Sequence, residues 1–182
     1  MKRKIIILLI SLFSAAASVQ AQTDEELNGM VLKHADSMAA CFIAKDYACF
    51  LKYSHPKVIK SMGGPQSALK KTREEFKKFE EEEGITFEAL KFGTPSKMIH
   101  AGTELQCIIQ QQIEMLLPRG RMTAITTLIA ISEDNGKSWY FTDASRFDLP
   151  SMQRLIPSLS NEHVFPYPQD PVFEPFEEEE AP

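Results

Sequence analysis

The chain has 182 residues, 43% of them hydrophobic and 25% charged, and a formal net charge of −5. This length and composition are typical of one globular domain. Six acids and no bases lie in residues 169–182, so the acidity belongs to the tail, and no basic stretch indicates a nucleic-acid-binding surface.

The first 21 residues have the pattern of a cleavable export signal. Residues 2–4 are all positively charged, and residues 5–17 are uninterrupted by charge and rich in Ile, Leu and Ala. Val19 and Ala21 then supply the small residues that a signal peptidase requires before a cut at Gln22. A spanning helix needs roughly 20 apolar residues, more than this run contains. We therefore expect export to the periplasm or beyond the cell, with no membrane span after cleavage.

A long helix is predicted over residues 23–44. Thr23 and Glu26 have the spacing of a capping box, in which each side chain satisfies a free backbone N–H of the first turn. Apolar residues then recur at intervals of three and four, the period of a helix lying on a core. His34 interrupts this stripe and is expected either to have a hydrogen-bond partner or to face a cavity, because burying it unpaired is costly.

Short helices follow, separated by strong breaking signals. Asp46 caps a helix that includes Phe50, Leu51 and Tyr53, and His55-Pro56 ends it, since the residue before proline avoids helical geometry. A helical turn through Val58 and Ile59 stops at Gly63-Gly64. Pro65 suits the first position of the next helix.

From Ile85 onward the hydrophobic period changes to two, which predicts an antiparallel sheet. Strands are expected over residues 87–92, 104–117, 122–132 and 137–143, with a turn at Pro118-Arg119-Gly120. In the long strand Leu105, Cys107 and Ile109 share an apolar face, while Gln106 and Gln110 lie on the other. Gln111 interrupts the apolar face. Because these predicted helices all precede the predicted strands in the chain, we expect an α+β domain over residues 22–145, with the helices packed on a curved antiparallel sheet.

The three cysteines are an odd number for a compartment that permits disulfides. Cys107 is interpreted as a small buried hydrophobe. Cys41 and Cys49 bracket a predicted turn and could form a disulfide, but spacing alone does not determine the geometry that a disulfide needs.

Residues 146–182 have a different character. A short helix is expected near residues 152–159, followed by aromatic residues alternating with prolines. Because proline blocks regular strand pairing, the segment is interpreted as an extended arm, which could pack on the domain or contact a partner. The glutamates at its end are expected to be disordered.

The element order, together with the stretch KDYACFLKYSHPKVIKSMGG at residues 45–64, resembles the nuclear-transport-factor-2-like, or cystatin-like, superfamily. That superfamily includes small exported proteins and SnoaL-like cyclases. The resemblance covers roughly residues 23–145 and implies a cone-shaped cavity between sheet and helices. Members use such a cavity for isomerisation, dehydration, ligand holding or protein docking, so the fold does not select a function.

The string SEDNGKSW at residues 132–139 fits the Asp-box pattern of sialidase propellers. A propeller requires this unit repeatedly, and here it occurs once. We therefore interpret it as a structural turn, in which Ser132 and Asp134 bind turn amides, Gly136 takes a positive φ and Trp139 covers the hairpin.

No metal-ligand spacing, cofactor motif or nucleophile context is present in the sequence. The predicted pocket is assembled from isolated polar and aromatic residues near the helix junction and on the sheet, namely His34, Tyr47, Tyr53, His55, Gln111, Trp139 and Phe141. A catalytic pocket should instead hold at least two titratable groups within hydrogen-bond reach.

The sequence therefore favours a non-catalytic protein that binds a small apolar ligand or a protein partner, with formation of a homodimer left open. The alternative is a cofactor-free isomerase or hydratase that uses His34 or Asp143 as a base and a tyrosine as a donor. A carboxylate or tyrosine bonded to His34 inside a closed cavity would favour the enzyme.

Overall fold

The computed structural model describes residues 23–177 and has the α+β architecture that the sequence predicts. The predicted signal peptide and the last of the tail glutamates lie outside the described residues. In chain order the elements are α1 (Asp24–Ile43), α2 (Tyr47–Phe50), a 3-10 turn (Leu51–Tyr53), α3 (Pro56–Ser61), α4 (Pro65–Glu81), β1 (Thr86–Phe92), β2 (Ile99–Ala101), β3 (Glu104–Leu117), β4 (Gly120–Ser132), β5 (Tyr140–Asp143), α5 (Leu149–Leu155) and β6 (Val172–Pro175).

Helix α1 begins where the capping box predicts. The Glu26 N–H donates to the Thr23 hydroxyl, and the Thr23 N–H donates to the Glu26 carboxylate, so both side chains satisfy free amides of the first turn. The apolar stripe of α1, including Val31 and Ala35, is buried in one cluster with alternate residues of β3, including Cys107 and Ile109. The helix and the strand therefore bury their apolar faces against each other.

The junction between α1 and α2 is closed by a disulfide between Cys41 and Cys49, whose Cα atoms are 5.6 Å apart. Asp46 lies between them and accepts the N–H of Cys49, so it caps α2 as predicted. The pairing that the sequence left open is present in the structure.

In the described part of the chain, six antiparallel strands form one sheet, and four of them lie side by side in the order β1-β3-β4-β5. Strand β2 pairs with β3. Strand β6 pairs with residues 120–123 of β4, and β5 pairs with residues 128–131 of the same strand. In the β3–β4 hairpin, pairing begins with Leu105 opposite Ser132 and ends with Leu117 opposite Gly120. The turn at Pro118 and Arg119 therefore lies where the sequence predicts it. This long hairpin carries the core residues of both sheet faces.

The two faces of the sheet are covered by different parts of the chain. Helix α1 covers the face that includes Cys107, Leu128 and Trp139. The opposite face of β4, at Ile129 and Ile131, packs against α5 and the residues that follow it, with the buried side chains of Met152, Ile156 and Leu159. Much of the segment after residue 145 therefore belongs to the core of the same domain.

The interpretation that prolines prevent regular pairing in the tail is wrong for Val172–Pro175, which is strand β6. Pro171 precedes the strand and Pro175 ends it, and proline is tolerated at the ends of an edge strand because no ladder N–H is lost there. The strand fits closely because Gly120 lies opposite: a Cβ at this position would come within 2.7 Å of the Phe173 ring. Gly120 therefore permits the close approach of β6.

We expect Cys107 to be inert in the native protein. Its side chain is fully buried, and burial raises the pKa of the Cys107 thiol to about 12, so almost no thiolate exists at neutral pH. Thiol labelling followed by mass spectrometry should modify none of the cysteines before reduction, and only Cys41 and Cys49 after mild reduction. Rapid native labelling of Cys107 would mean that β3 is shifted by one residue, which exchanges its two faces.

Candidate functional site

The Asp-box turn joins β4 to β5 and is organised by its own polar side chains. The Ser132 hydroxyl accepts the N–H of Gly136 at 2.8 Å, and the Asp134 carboxylate accepts the N–H and the hydroxyl of Ser138. Gly136 has φ of 83°, a conformation that favours glycine. Trp139 is buried, and its indole N–H donates to the Gly136 carbonyl. The structural interpretation of this motif is confirmed.

Four of the predicted pocket residues share one neighbourhood, but they pack there as part of the core. Trp139 and Phe141 are buried beneath α1, with Tyr53 packed against the same cluster. The His34 ring lies edge-on to Tyr53, with centroids 6.2 Å apart, and its Nε2 is 3.1 Å from the backbone carbonyl of Lys137. His34 therefore has the partner that the sequence predicts, and that partner is a backbone group.

Gln111 and Tyr47 lie in other surroundings. Gln111 is buried on β3, and its side-chain oxygen accepts the hydroxyl of Thr126 on β4. Tyr47 is stacked on Phe76 of α4, with ring centroids 5.4 Å apart, next to Phe42. Both side chains join neighbouring elements to one another.

His55 is almost completely buried at the start of α3. Its Nδ1 accepts the N–H of Lys57 and so caps the helix. Its Nε2 is 3.9 Å from the Glu133 carboxylate and has no hydrogen-bond partner among the residues that the structure describes. The ring lies edge-on to Tyr140. Burial, reinforced by the charge of Lys57 and partly opposed by Glu104, lowers the pKa of His55.

A second buried histidine, His163, belongs to a network centred on Gln106 of β3. The Gln106 amide nitrogen donates to the Ser158 carbonyl and to Glu104, and its oxygen accepts the N–H of Ser160 and faces the Nε2 of His163 at 3.0 Å. An amide oxygen only accepts, so Nε2 of His163 carries its proton and Nδ1 does not. The network attaches the segment after α5 to the sheet.

Because His55 and His163 are both buried, we expect the folded protein to be less stable in acid. Burial lowers the pKa of His55 and of His163 in the folded protein, whereas the unfolded chain titrates near pH 6.5. Below about pH 6.5 the unfolded state binds more protons, so stability is complete above that pH and declines as the pH falls through the folded-state values. Urea unfolding between pH 7.5 and 5 should show this loss.

His163→Gln should reduce the pH dependence of the unfolding free energy, while His100→Gln, at an exposed position, should leave it unchanged. An unfolding free energy that is constant across this pH range in the wild type would contradict the prediction.

None of the seven predicted pocket residues lines any of four cavities found on the part of the chain that the structure describes. The most apolar of these cavities lies among the short helices. It is a groove of about 620 Å³ between the α2 region, α3, the start of α4 and Tyr140. We call it the apolar groove, and its main apolar walls are Leu51, Pro56, Ile59, Pro65, Leu69 and Tyr140.

The polar groups of the apolar groove are mostly positive. Lys52 and Lys60 line it and are exposed, and neither forms an ion pair within residues 23–177. The 17-residue helix α4 begins at the groove after Gly64, which has no side chain to cap it. The positive end of the helix dipole therefore adds to the two ammonium groups.

The sequence singled out this stretch for its breaks and did not predict the groove. The residues concerned are short apolar segments between proline and glycine breaks, at Leu51, Ile59 and Leu69. The available signal was that these helices are too short to bury all their apolar residues. Of the predicted pocket residues, His55 lies next to the groove. Its chain neighbours Ser54 and Pro56 line the groove, and so does Tyr140, which its ring contacts.

Within residues 23–177 no helix is long and apolar enough to cross a membrane, and no group of three or more His, Cys, Asp or Glu side chains could hold a metal ion. No protein-family model, no curated protein and no solved structure matches the chain.

Proposed function

We propose that this chain is an exported, non-catalytic protein that holds a small anionic amphiphile in the apolar groove. The Cys41–Cys49 disulfide supports export, since disulfides persist in oxidising compartments. Helices on one face of an antiparallel sheet are the layout that the nuclear-transport-factor-2-like resemblance implies, so we keep that family as a proposal. The apolar groove lies outside the sheet–helix core of that layout.

The apolar groove carries the proposal through its size and its walls. A volume of about 620 Å³ lies within the range of small-molecule sites. Leu51, Ile59 and Leu69 are only partly buried. Covering them with a hydrocarbon chain gains about 25 cal/mol for each Å² removed from water.

The charges favour an acidic head group. Lys52 and Lys60 are free to bind an anion, and the N-terminus of α4 adds partial positive charge on the same groove. The sign is opposite to that of the whole chain, which has a net charge of −5. A carboxylate or phosphate bound to an aliphatic chain matches both parts of the groove.

No observation favours the enzyme alternative. His34 faces a backbone carbonyl, and Asp143, at the exposed end of β5, accepts the N–H of Ser145. A proton-transfer site needs an acid and a base that both reach the same substrate, and neither residue lines any of the four cavities.

Calorimetric titration with dodecanoate and with dodecanol tests the proposal. Wild-type protein should bind dodecanoate more tightly than dodecanol. Ile59→Glu places a charge on the apolar wall and should weaken both ligands about tenfold or more, since 1.4 kcal/mol corresponds to a factor of ten. Lys52→Gln combined with Lys60→Gln should weaken dodecanoate and leave dodecanol unchanged.

Ile43→Glu is the matched control, because Ile43 is an exposed isoleucine on α1 that does not line the groove. It should bind both ligands like the wild type. Failure of the wild type to bind either ligand, or equal binding by the Ile59 and Ile43 variants, would contradict the proposal.

A further inference from the structure

The outer edge of β4 contains an unpaired stretch between two partner strands. Residues 120–123 pair with β6, and residues 128–131 pair with β5. The loop after β5 satisfies Thr127, whose carbonyl accepts the N–H of Ala144 and whose N–H donates to the Ser145 hydroxyl. Within residues 23–177, no strand pairs with residues 124–126 on this edge.

Strand geometry identifies the backbone groups that are free there. Backbone N–H and C=O groups of alternate residues point to the same edge of a strand. Because Thr127 directs both groups to the outer edge, Ile125 does the same, whereas Ala124 and Thr126 direct theirs towards β3. The structure gives Ile125 no backbone partner on this outer edge within the described chain. One donor and one acceptor of the sheet are therefore free.

A cavity of about 510 Å³ opens over this stretch, and we call it the edge cavity. It is lined by residues 124–127 of β4, by residues 144–149 after β5, and by much of the proline-rich segment 165–171. Phe147 and Tyr167 line it from the two loop segments and have 56% and 94% of their surfaces exposed. The two rings therefore leave apolar surface exposed beside the free strand edge.

The edge cavity also has a free cation. Arg146 lines it, is exposed, and forms no ion pair or hydrogen bond to any residue in the range 23–177. A guanidinium binds carboxylates through paired N–H donors. The cavity thus combines a free strand edge, two aromatic walls and a carboxylate-binding group.

We infer that the edge cavity binds the carboxyl-terminal end of an extended peptide. One peptide residue pairs with the N–H and C=O of Ile125, as in the addition of a short strand to a sheet edge. Its apolar side chains contact Phe147 and Tyr167, and its terminal carboxylate binds Arg146. This site is separate from the apolar groove and does not depend on the amphiphile proposal.

Fluorescence polarisation with the purified protein tests the inference. The probes are a library of fluorescently labelled tetrapeptides with a free terminal carboxylate. Each peptide carries one combination of two apolar residues at its last two positions, and the library covers every combination. The tightest binder is then remade as a set of singly N-methylated analogues, each lacking one amide donor. At least one analogue should bind about tenfold more weakly, because the Ile125 carbonyl loses its donor.

Ile125→Pro removes the complementary donor from the protein. Because this N–H points away from β3, proline leaves the β3–β4 ladder intact. Ile125→Ala is the control that shortens the side chain and keeps the N–H. The proline variant should bind the peptide about tenfold more weakly than the alanine variant, and thermal melting confirms that both fold.

Arg146→Gln should weaken the free-acid peptide about tenfold and leave its carboxamide form unchanged, while Arg154→Gln, outside the cavity, should have no effect. The inference is overturned if no tetrapeptide binds, if every N-methylated analogue binds like its parent, or if the free acid and the carboxamide bind equally. The N-methylated set decides the matter even if Ile125→Pro unfolds.

Discussion

Trp139→Ala is expected to destabilise the protein by roughly 3–5 kcal/mol, the usual cost of truncating a fully buried tryptophan. The indole has 1% of its surface exposed and packs in the cluster beneath α1. Its N–H donates to the Gly136 carbonyl, so the truncation also loosens the Asp-box turn. The melting temperature should fall by about 10 °C, given a few degrees per kcal/mol for a chain of this size.

Phe147→Ala is the matched control for this effect, because Phe147 is an aromatic side chain in the loop after β5 with 56% of its surface exposed. Its unfolding free energy should stay within about 0.5 kcal/mol of the wild type. If the Trp139 and Phe147 variants have the same melting temperature, the core beneath α1 is not organised around the indole.

Gln106→Leu is expected to cost on the order of 3 kcal/mol. The substitution keeps the size of the side chain but removes the partners of the Ser158 carbonyl, the Ser160 N–H and the His163 ring. Each buried group left without a partner costs about 1–3 kcal/mol. The segment after α5 should also become sensitive to proteolysis, because this network attaches it to the sheet.

Gln110→Leu provides the comparison, since Gln110 lies on the same strand and the same face but is exposed. Its stability should change by less than about 0.5 kcal/mol, and its tail should resist protease like that of the wild type. Equal stability and equal protease resistance in the two variants would show that the Gln106 network does not hold the tail.

Local chemistry allowed much of the fold to be predicted. The capping box at Thr23 and the break at His55-Pro56 depend on neighbours within four residues, and both are present. The alternation of Leu105, Cys107 and Ile109 identified the face of β3 that packs beneath α1, because a strand has a period of two whatever it packs against. Trp139 and its turn followed from the same kind of short-range reasoning.

The surroundings of individual polar side chains, and with them the candidate site, could not be predicted in this way. Gln106 and Gln110 have the same residue type, strand and face, yet one is completely buried and the other exposed. The difference arises because residues 156–163, some fifty positions later, cover only one of them. His34 is a second example. Its place in the apolar stripe of α1 predicted that it would have a hydrogen-bond partner or face a cavity, but only the fold shows that a backbone carbonyl more than a hundred residues away is the partner.

The amino-acid sequence was sufficient for the α+β class, for the extent of α1 and β3 and for the face of β3 that α1 covers, because each follows from backbone geometry over a few residues. Tertiary structure alone decided the disulfide, the second layer formed by α5, the pairing of β6, the apolar groove and the free edge at Ile125. All of these depend on which distant segments come to lie side by side, and on the surface that they leave uncovered.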